Sequence, residues 1–149
     1  MSDLDDLDRA LLRLLAEDGR RSYADLARET GLSTSAAHQR VRRLEQRGAI
    51  QGYAARLDPL ATGLPLTAFV SITPIDPAAR DDAPERLRAL RAIEACHSVA
   101  GDESYVLKVR CASPGDLETL LQDIRAAAAV STRTTVVLST PWEERAPWS

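Results

Sequence analysis

The sequence has few of the residues that mark several common classes of protein. It contains two cysteines and two histidines in 149 residues, and aromatic residues make up only 4%. Cys96 and Cys111 form no Cys-x-x-Cys pair, which disfavours a structural zinc site. His97 follows Cys96 directly, but neighbouring residues of a strand point to opposite faces, so the pair does not suggest a metal site. With so few aromatic residues, leucine, valine, isoleucine and alanine must build the core.

The chain also has no long apolar run. None approaches the ~20 residues that a membrane-spanning helix needs. The acidic start MSDLDDLDRA has neither the basic nor the apolar region of a secretory signal. Charged residues make up 28% and hydrophobic residues 44%, which is typical of a globular protein and argues against disorder. We therefore expect a cytoplasmic protein with reduced cysteines.

The first part of the chain has the pattern of three helices. The first helix is indicated by five leucines at helical spacing, with Asp3 or Asp5 as its cap: Leu4, Leu7, Leu11, Leu14 and Leu15. Ser22 and Asp25 have capping-box spacing for a second helix, which Gly31 can end in a left-handed conformation. Ser33 can cap a third helix that runs to about Arg47, and the extended stretch IQGYAARL then stands where a wing would lie.

The rest of the chain changes from helical to alternating periodicity. LTAFVSITP alternates as a strand, DDAPERLRALRAIEA is helical with Leu87, Leu90 and Ile93 facing inward, and CHSVAGDESYVLKVRC is a hairpin. A helix follows, capped near Ser113, and then the strand STRTTVVLST. The order β-α-β-β-α-β predicts a ferredoxin-like domain. The expected fold class is therefore α+β, with a winged helix-turn-helix domain followed by this ferredoxin-like domain.

Composition indicates where the two domains meet. The segment DPLATGLP is rich in proline and glycine. We predict a helix-turn-helix domain over residues 1–58, a linker over 59–63, the ferredoxin-like domain over 64–140, and a tail over 141–149.

Positive charge is concentrated in the third helix of a chain whose net charge is -3. Residues 32–53 hold five arginines or histidines and one acid. With Ser33 as cap, the spacing places Ala37, Val41 and Leu44 on one buried stripe. The residues expected to face DNA lie mostly on the other side: Thr34, Ser35, His38, Gln39, Arg42 and Arg43.

Small residues followed by arginines are what docking of a recognition helix requires. The beginning of such a helix approaches base edges in the major groove, and arginines further along reach bases or phosphates. A solvated basic face on an ordinary helix is the alternative. Its position as the third helix of a compact unit, with the small residues Ala27 and Gly31 at the expected crossing, favours DNA binding. Arg40 borders the buried stripe and could instead tie the helix to its neighbours.

The combined pattern resembles the Lrp/AsnC, or feast/famine, family of transcription regulators. The resemblance rests on LDDLDRALLRLLAEDGRRSYADLARETGLS, on RVRRLEQRGAIQGYAARLDP and on ECHSVAGDESYVLKVR, and covers about residues 4–140. It implies operator DNA as a partner. It also implies that residues 64–140 form an effector-binding and oligomerisation domain, which binds an amino acid or a related small metabolite. It also implies a homodimer whose sheets pack together, assembly of dimers into octamers, and an effector site between dimers near the hairpin loop. It implies no cofactor.

The hairpin loop departs from the family at one position. Ser104 stands where the family usually has a second aspartate, so a charge that could contact an amino group is missing. The effector candidates that follow from the resemblance are Gly101, Asp102, Ser104 and Tyr105, with Thr132, Thr134 and Thr135 on the last strand. The alternatives are a tight hairpin turn at Gly101 and Asp102, and threonines that are ordinary strand residues.

Two classes of function other than DNA binding are also compatible with parts of the sequence. A regulatory module that binds a ligand without DNA, and a catalytic ferredoxin-like domain, both fit the C-terminal pattern. No nucleophile elbow or glycine-rich phosphate loop occurs, which disfavours an enzyme. Finally, a turn over Gly101 to Ser104 would place Cys96 opposite residue 109 and leave the two cysteines diagonal and too far apart for a disulfide, so both are expected to be free thiols.

Overall fold

The computed structural model describes residues 4–143, which divide into two compact units. One unit runs up to Arg56 and includes Trp142, and the other spans Leu57–Pro141. Most of the tail predicted over 141–149 lies outside the described residues. Among the described helices, none has the length and apolar character that crossing a bilayer requires.

Three helices form the N-terminal unit: α1 (Asp6–Glu17), α2 (Tyr23–Thr30) and α3 (Thr34–Gln46). Each begins where a side-chain oxygen accepts a hydrogen bond from a backbone N–H of the first turn, because those N–H groups have no partner within the helix. The caps are Asp5, Ser22 and Ser33. Gly31 ends α2 with φ 70°, as predicted, whereas α1 ends at Asp18, whose backbone is extended.

The core of this unit is small and comes from one stripe on each helix. Its fully buried leucines are Leu11, Leu26 and Leu44, one from each helix, and Val41 and Ala37 pack with them. The predicted stripe on α3 is confirmed, since its three residues are at most 1% exposed. This stripe fixes which face of α3 points outward.

The segment after α3 is not paired as a strand. Residues 51–58 have no regular secondary structure and no strand pairing in the described part of the chain, so the expected wing is not formed as a strand. Tyr53 holds this segment in place: its hydroxyl donates to Glu45 Oε1 at 2.9 Å, and its ring lies against Gly19.

The second unit is a four-stranded antiparallel sheet with helices on one face. Its elements are β1 (Leu66–Pro74), α4 (Ala83–Leu87), β2 (Ile93–Ser98), β3 (Tyr105–Cys111), α5 (Pro114–Ala128) and β4 (Val130–Val136). The strand order is β2-β3-β1-β4. Alternation along β1 buries Ala68, Val70 and Ile72 against the helices, as predicted, and leaves the other sheet face with residues such as Phe69 exposed.

The helix expected over residues 81–95 is much shorter in the structure. It ends at Leu87, and two tight turns, closed by Leu90 N–H to Leu87 C=O and by Ile93 N–H to Leu90 C=O, lead into β2. The apolar residues still face inward, since Leu87 is buried and Leu90 and Ile93 pack against the core. Three residues at helical spacing are equally compatible with turns, so periodicity alone misplaced the boundary.

The hairpin register also differs from the expected one. Cys96 pairs with Leu107, not with residue 109, because the β2–β3 connection spans residues 99–104 and closes with Val99 N–H to Ser104 C=O. The register shifts between Ile93 and Ala95, which marks a β-bulge at Glu94. Both cysteines are nevertheless free, as expected, and partial burial raises the thiol pKa of each.

Candidate DNA-binding and ligand sites

The outward face of α3 presents a polar and basic surface, named here the recognition face. All six residues predicted for DNA are exposed: Thr34, Ser35, His38, Gln39, Arg42 and Arg43. Within the described part of the chain, neither Arg42 nor Arg43 forms an ion pair. Two uncompensated guanidinium groups on one exposed helix face suit an anionic partner.

The first turn of α3 combines small side chains with a local cap. Ser33 Oγ accepts from Ala36 N–H at 3.2 Å and lies 3.2 Å from Ser35 Oγ. No acidic residue occurs in this turn, although the ends of helix dipoles usually attract acids there. The positive end of the helix is therefore left uncompensated beside short side chains, which permits close approach of a phosphate backbone.

His38 lies at the border of the recognition face and contacts α2. Its ring centroid is 4.6 Å from that of Tyr23, with the planes 73° apart, an edge-to-face arrangement. Tyr23 is 39% exposed, so the pair stands at the surface. The sequence analysis placed His38 near the bases but did not identify Tyr23. The sequence feature that could have indicated it is an aromatic residue directly after the cap of the second helix.

The opposite border of α3 carries an ion pair with α1. Arg40 Nη1 donates to Asp5 Oδ2 at 2.6 Å and to Asp8 Oδ1 at 2.8 Å. The Asp8 N–H bond that Asp5 accepts as cap, together with the Arg40 hydrogen bond, lowers the pKa of the Asp5 carboxyl. Asp8 is the single buried charged residue among those described. Arg40 is thus directed inward, away from the recognition face.

In the C-terminal unit, a surface cleft of about 260 Å³ lies where β1, β4 and the β2–β3 loop meet. Two predicted effector residues border it, Asp102 and Thr132. The other lining residues are Ser71, Thr73, Glu103, Ser131 and Arg133. Arg133 forms an ion pair with Glu103 at this cleft, so the lining offers both charge signs and several hydroxyl groups.

The remaining predicted effector residues lie outside this cleft. The Ser104 N–H donates to Ile72 C=O at 3.0 Å, which fixes the end of the loop to β1. The Tyr105 hydroxyl donates to Asp81 Oδ2 at 2.8 Å, an interaction that raises the tyrosine pKa. Gly101, Thr134 and Thr135 do not line the cleft either.

The pairing of β4 with β1 shows that the three predicted threonines of β4 do not lie on one face of the sheet. Thr132 and Thr134 pair with Ile72 and Val70, which face the helices, whereas Thr135 pairs with Phe69 on the open face. Thr132 Oγ1 accepts from Arg125 at 3.0 Å. Arg133 and Glu103 were not predicted, because only the pairing of β4 with β1 shows that Arg133 stands beside the hairpin loop. Within residues 4–143, no group of three potential ligands could hold a metal ion.

Comparison with known families agrees with both units. Residues 4–45 match the AsnC-type helix-turn-helix domain, and residues 67–147 match the Lrp/AsnC ligand binding domain. The first match contains α1, α2 and nearly all of α3. The second begins in β1 and contains the cleft.

Relatives from two bacteria are similar along almost their whole length. The HTH-type transcriptional regulator LrpA of Mycobacterium tuberculosis is 56% identical over 142 residues, covering 95% of each chain. The Leucine-responsive regulatory protein of Escherichia coli is 39% identical and covers 91% of this chain and 85% of its own.

Solved structures show the same architecture. A feast or famine regulatory protein of M. tuberculosis complexed with L-methionine has a TM-score of 0.94, at 56% identity, covering 97% of this chain and 98% of its own. AsnC of E. coli has a TM-score of 0.83 at 29% identity, covering 95% and 97%. These relatives are named as regulators, not as enzymes. The chain therefore belongs to the Lrp/AsnC family of transcription regulators, with a helix-turn-helix domain for DNA and a ligand-binding domain built on the antiparallel sheet.

Proposed function

We propose that the recognition face of α3 reads operator DNA, with Ser35, His38 and Gln39 near the bases. Arg42 and Arg43 supply most of the electrostatic contact, and Thr34 lies at the entry to the groove. The observation that carries this proposal is the exposure of both arginines without an ion-pair partner among the described residues. Free guanidinium groups release counterions from DNA on binding, so they contribute affinity that depends on salt.

Replacement of the two arginines tests this assignment. Arg42→Gln or Arg43→Gln should weaken binding to operator and random DNA alike, and reduce the slope of log affinity against log salt by about 1. Gln39→Ala should instead weaken binding to the operator by about 1–3 kcal/mol and relax the sequence preference at one base pair. Arg28→Gln is a matched control, since that exposed arginine pairs with Asp25 at 2.7 Å. Wild-type salt dependence in both Arg42 and Arg43 variants would refute the face assignment.

A homodimer implies a two-fold symmetric operator. Two copies of α3 reach successive major grooves on one side of the duplex when half-sites lie about 34 Å apart, or a multiple of that distance. Footprinting should show paired protected half-sites, and protection of one asymmetric half-site would contradict the proposal. We propose further that such dimers assemble into octamers, which light scattering tests, and that the protein acts in the cytoplasm with the DNA it regulates.

For the ligand, we propose that an amino acid or a related metabolite binds at the cleft near Asp102. A zwitterion has a carboxylate that suits Arg133 and an amino group that suits a carboxylate such as Asp102. The M. tuberculosis relative was solved with L-methionine, which makes that amino acid a first probe. A ligand that favours one packing of effector domains over another would shift the population of DNA-binding assemblies.

A thermal-shift titration with the twenty amino acids tests the ligand class, since a compound that binds only the folded chain raises the melting temperature with concentration. Arg133→Gln and Asp102→Asn should each abolish the shift. Ser104→Asp should strengthen it if the missing carboxylate matters for an amino group near Gly101 and Tyr105. Thr132→Val removes one hydroxyl at the cleft, while Thr134→Val and Thr135→Val are matched controls outside it. A wild-type shift in the Arg133 and Asp102 variants would exclude the cleft.

A further inference from the structure

Arg40 lies in the middle of the basic stretch, yet its side chain is turned away from the recognition face. It follows the buried Ala37 by three positions and precedes the buried Leu44 by four, so it borders the apolar stripe of α3. Its side chain is 21% exposed, and its guanidinium is held by two carboxylates of α1. Both carboxylates bind the same nitrogen, Nη1, so a phosphate could reach that nitrogen only by displacing them.

The two carboxylates are themselves fixed. Asp5 caps α1 through a 2.8 Å bond from Asp8 N–H to its Oδ1, which leaves its Oδ2 for Arg40. The side chain of Asp8 is 11% exposed and has Arg40 as its ion-pair partner. One guanidinium nitrogen is therefore bound to the start of α1 at two points that cannot move independently of that helix.

The apolar stripe alone does not set the rotation of α3 with equal accuracy. Apolar contact is non-directional, and small leucine, valine and alanine side chains tolerate rotation and sliding. Charge-assisted hydrogen bonds fix direction as well as distance. A rotation of α3 that preserved apolar burial would break both Arg40 bonds and turn Gln39 and Arg42 out of line with the groove.

We infer that Arg40 is a positioning residue for operator recognition: its ion pair with Asp5 and Asp8 sets the rotation of α3 on α1, and it does not contact phosphate. The inference rests on the proposed docking of α3 through its recognition face. Loss of the ion pair lowers the preference for operator over random DNA, because base contacts depend on alignment whereas phosphate attraction does not. Arg40 thus differs in role from Arg42 and Arg43, which stand two and three residues further along the same helix.

The test uses three variants of the full-length chain: Arg40→Gln, Asp8→Asn, and the double variant that carries both changes. Each is compared with Arg43→Gln. For each, affinity for operator and for random DNA is measured over a range of salt, below the melting temperature determined by circular dichroism. We expect Arg40→Gln to lower the operator-to-random ratio by about tenfold, as for one lost base contact. Asp8→Asn leaves the bond from Arg40 to Asp5 and should lower the ratio less. The salt slope should stay at the wild-type value, whereas Arg43→Gln lowers it by about 1.

The double variant separates positioning from mere stability. It leaves no buried unpaired charge. Because both single changes remove the bond between Arg40 and Asp8, its loss of specificity should be no larger than that of Arg40→Gln alone. If Arg40→Gln alone does not fold, the operator-to-random ratio and the salt slope of the double variant test the inference in its place. A salt slope lowered by about 1 with the ratio intact would make Arg40 a phosphate contact and overturn the inference, as would an unchanged ratio in all three variants. A normal salt slope in Arg43→Gln would count against the proposed recognition face and not against Arg40.

Discussion

The two units of this chain are held together in different ways. The core of the N-terminal unit has six buried apolar residues among those that the structure describes. The two borders of α3 are fixed by polar and aromatic side chains, Arg40 on one side and His38 with Tyr23 on the other. The core of the C-terminal unit has thirteen buried residues, supplied by β1, β3, β4, α4 and α5. A small domain buries a smaller fraction of its surface, so a few specific interactions carry more of its geometry.

This difference matches what each unit does. DNA recognition requires a helix aimed accurately, which directional bonds to Arg40 provide. The proposed ligand site requires a stable sheet whose loop and edge strand leave a cleft, and apolar burial beneath the sheet is sufficient for that. We therefore expect single polar substitutions in the N-terminal unit to impair DNA recognition more than they lower stability. In the C-terminal unit we expect substitutions in the apolar core to have the larger effect.

Removal of one core side chain from each unit should have the largest effect. Leu11 and Leu107 are both 0% exposed, so Leu11→Ala and Leu107→Ala should each cost about 2–5 kcal/mol. The unit with the smaller core has the smaller free energy of unfolding to lose. Leu11→Ala should therefore unfold it and abolish operator binding at about 37 °C, a temperature at which the sheet stays folded. Calorimetry with DNA binding checks this. If Leu11→Ala melts as the wild type does, the comparison of the two cores is wrong.

The helix ends offer a matched pair with opposite expected signs. Gly31 ends α2 at φ 70° with open space around its Cα, whereas Ala129 ends α5 at φ 52° with a side chain. A left-handed conformation costs about 1–2 kcal/mol for a residue other than glycine. Gly31→Ala should therefore destabilise its unit by about 1 kcal/mol, and Ala129→Gly should stabilise the other by up to about 1 kcal/mol. Gly115→Ala, within α5, is the control that should not destabilise.

A Ser-x-x-Asp capping motif begins α2 in the N-terminal unit and α5 in the C-terminal unit, with the same hydrogen-bond length. Ser22 Oγ accepts from Asp25 N–H at 3.1 Å, and Ser113 Oγ accepts from Asp116 N–H at 3.1 Å. Ser22→Ala and Ser113→Ala should each cost about 1 kcal/mol in free energy of unfolding. The shift in melting temperature should be larger for Ser22→Ala, because the entropy of unfolding is smaller for a smaller unit. Equal shifts would argue that the units unfold as one.

The smallest expected effect concerns ionisation of Tyr53. Partial burial, followed by the hydrogen bond to Glu45, raises its pKa from 10.0 to about 12. The folded chain thus favours the neutral phenol, so this contribution to stability is complete below about pH 10 and is lost as the pH rises toward about 12. Ultraviolet titration of the phenolates should show late-titrating tyrosines, since the pKa of Tyr105 is raised as well, and the Tyr53 contribution should disappear in Tyr53→Phe. A Tyr53→Phe chain with the wild-type titration curve would place the late group elsewhere.

Local chemistry made much of the fold predictable from the sequence. Ser22, Ser33 and Ser113 cap helices because a serine oxygen can accept a backbone N–H three residues on. The stripe of Ala37, Val41 and Leu44, and the alternation along β1, followed from periods of 3.6 and 2 residues. These rules act within a few residues and need no knowledge of distant parts of the chain, so the order of elements and the exposed face of α3 could be predicted.

Only the tertiary structure decided which distant residues meet. The length of α4 and the register of Cys96 opposite Leu107 depend on how β2 packs against β3, and a bulge at Glu94 has no signature in the sequence. The meeting of Arg133 with Glu103, and of Arg40 with Asp5 and Asp8 more than thirty residues away, likewise follows from packing. The sequence by itself determined the elements and the polarity of their faces, because these are short-range properties. The choice of partners was decided by three-dimensional packing, in which apolar burial brings the elements together and leaves specific charges side by side.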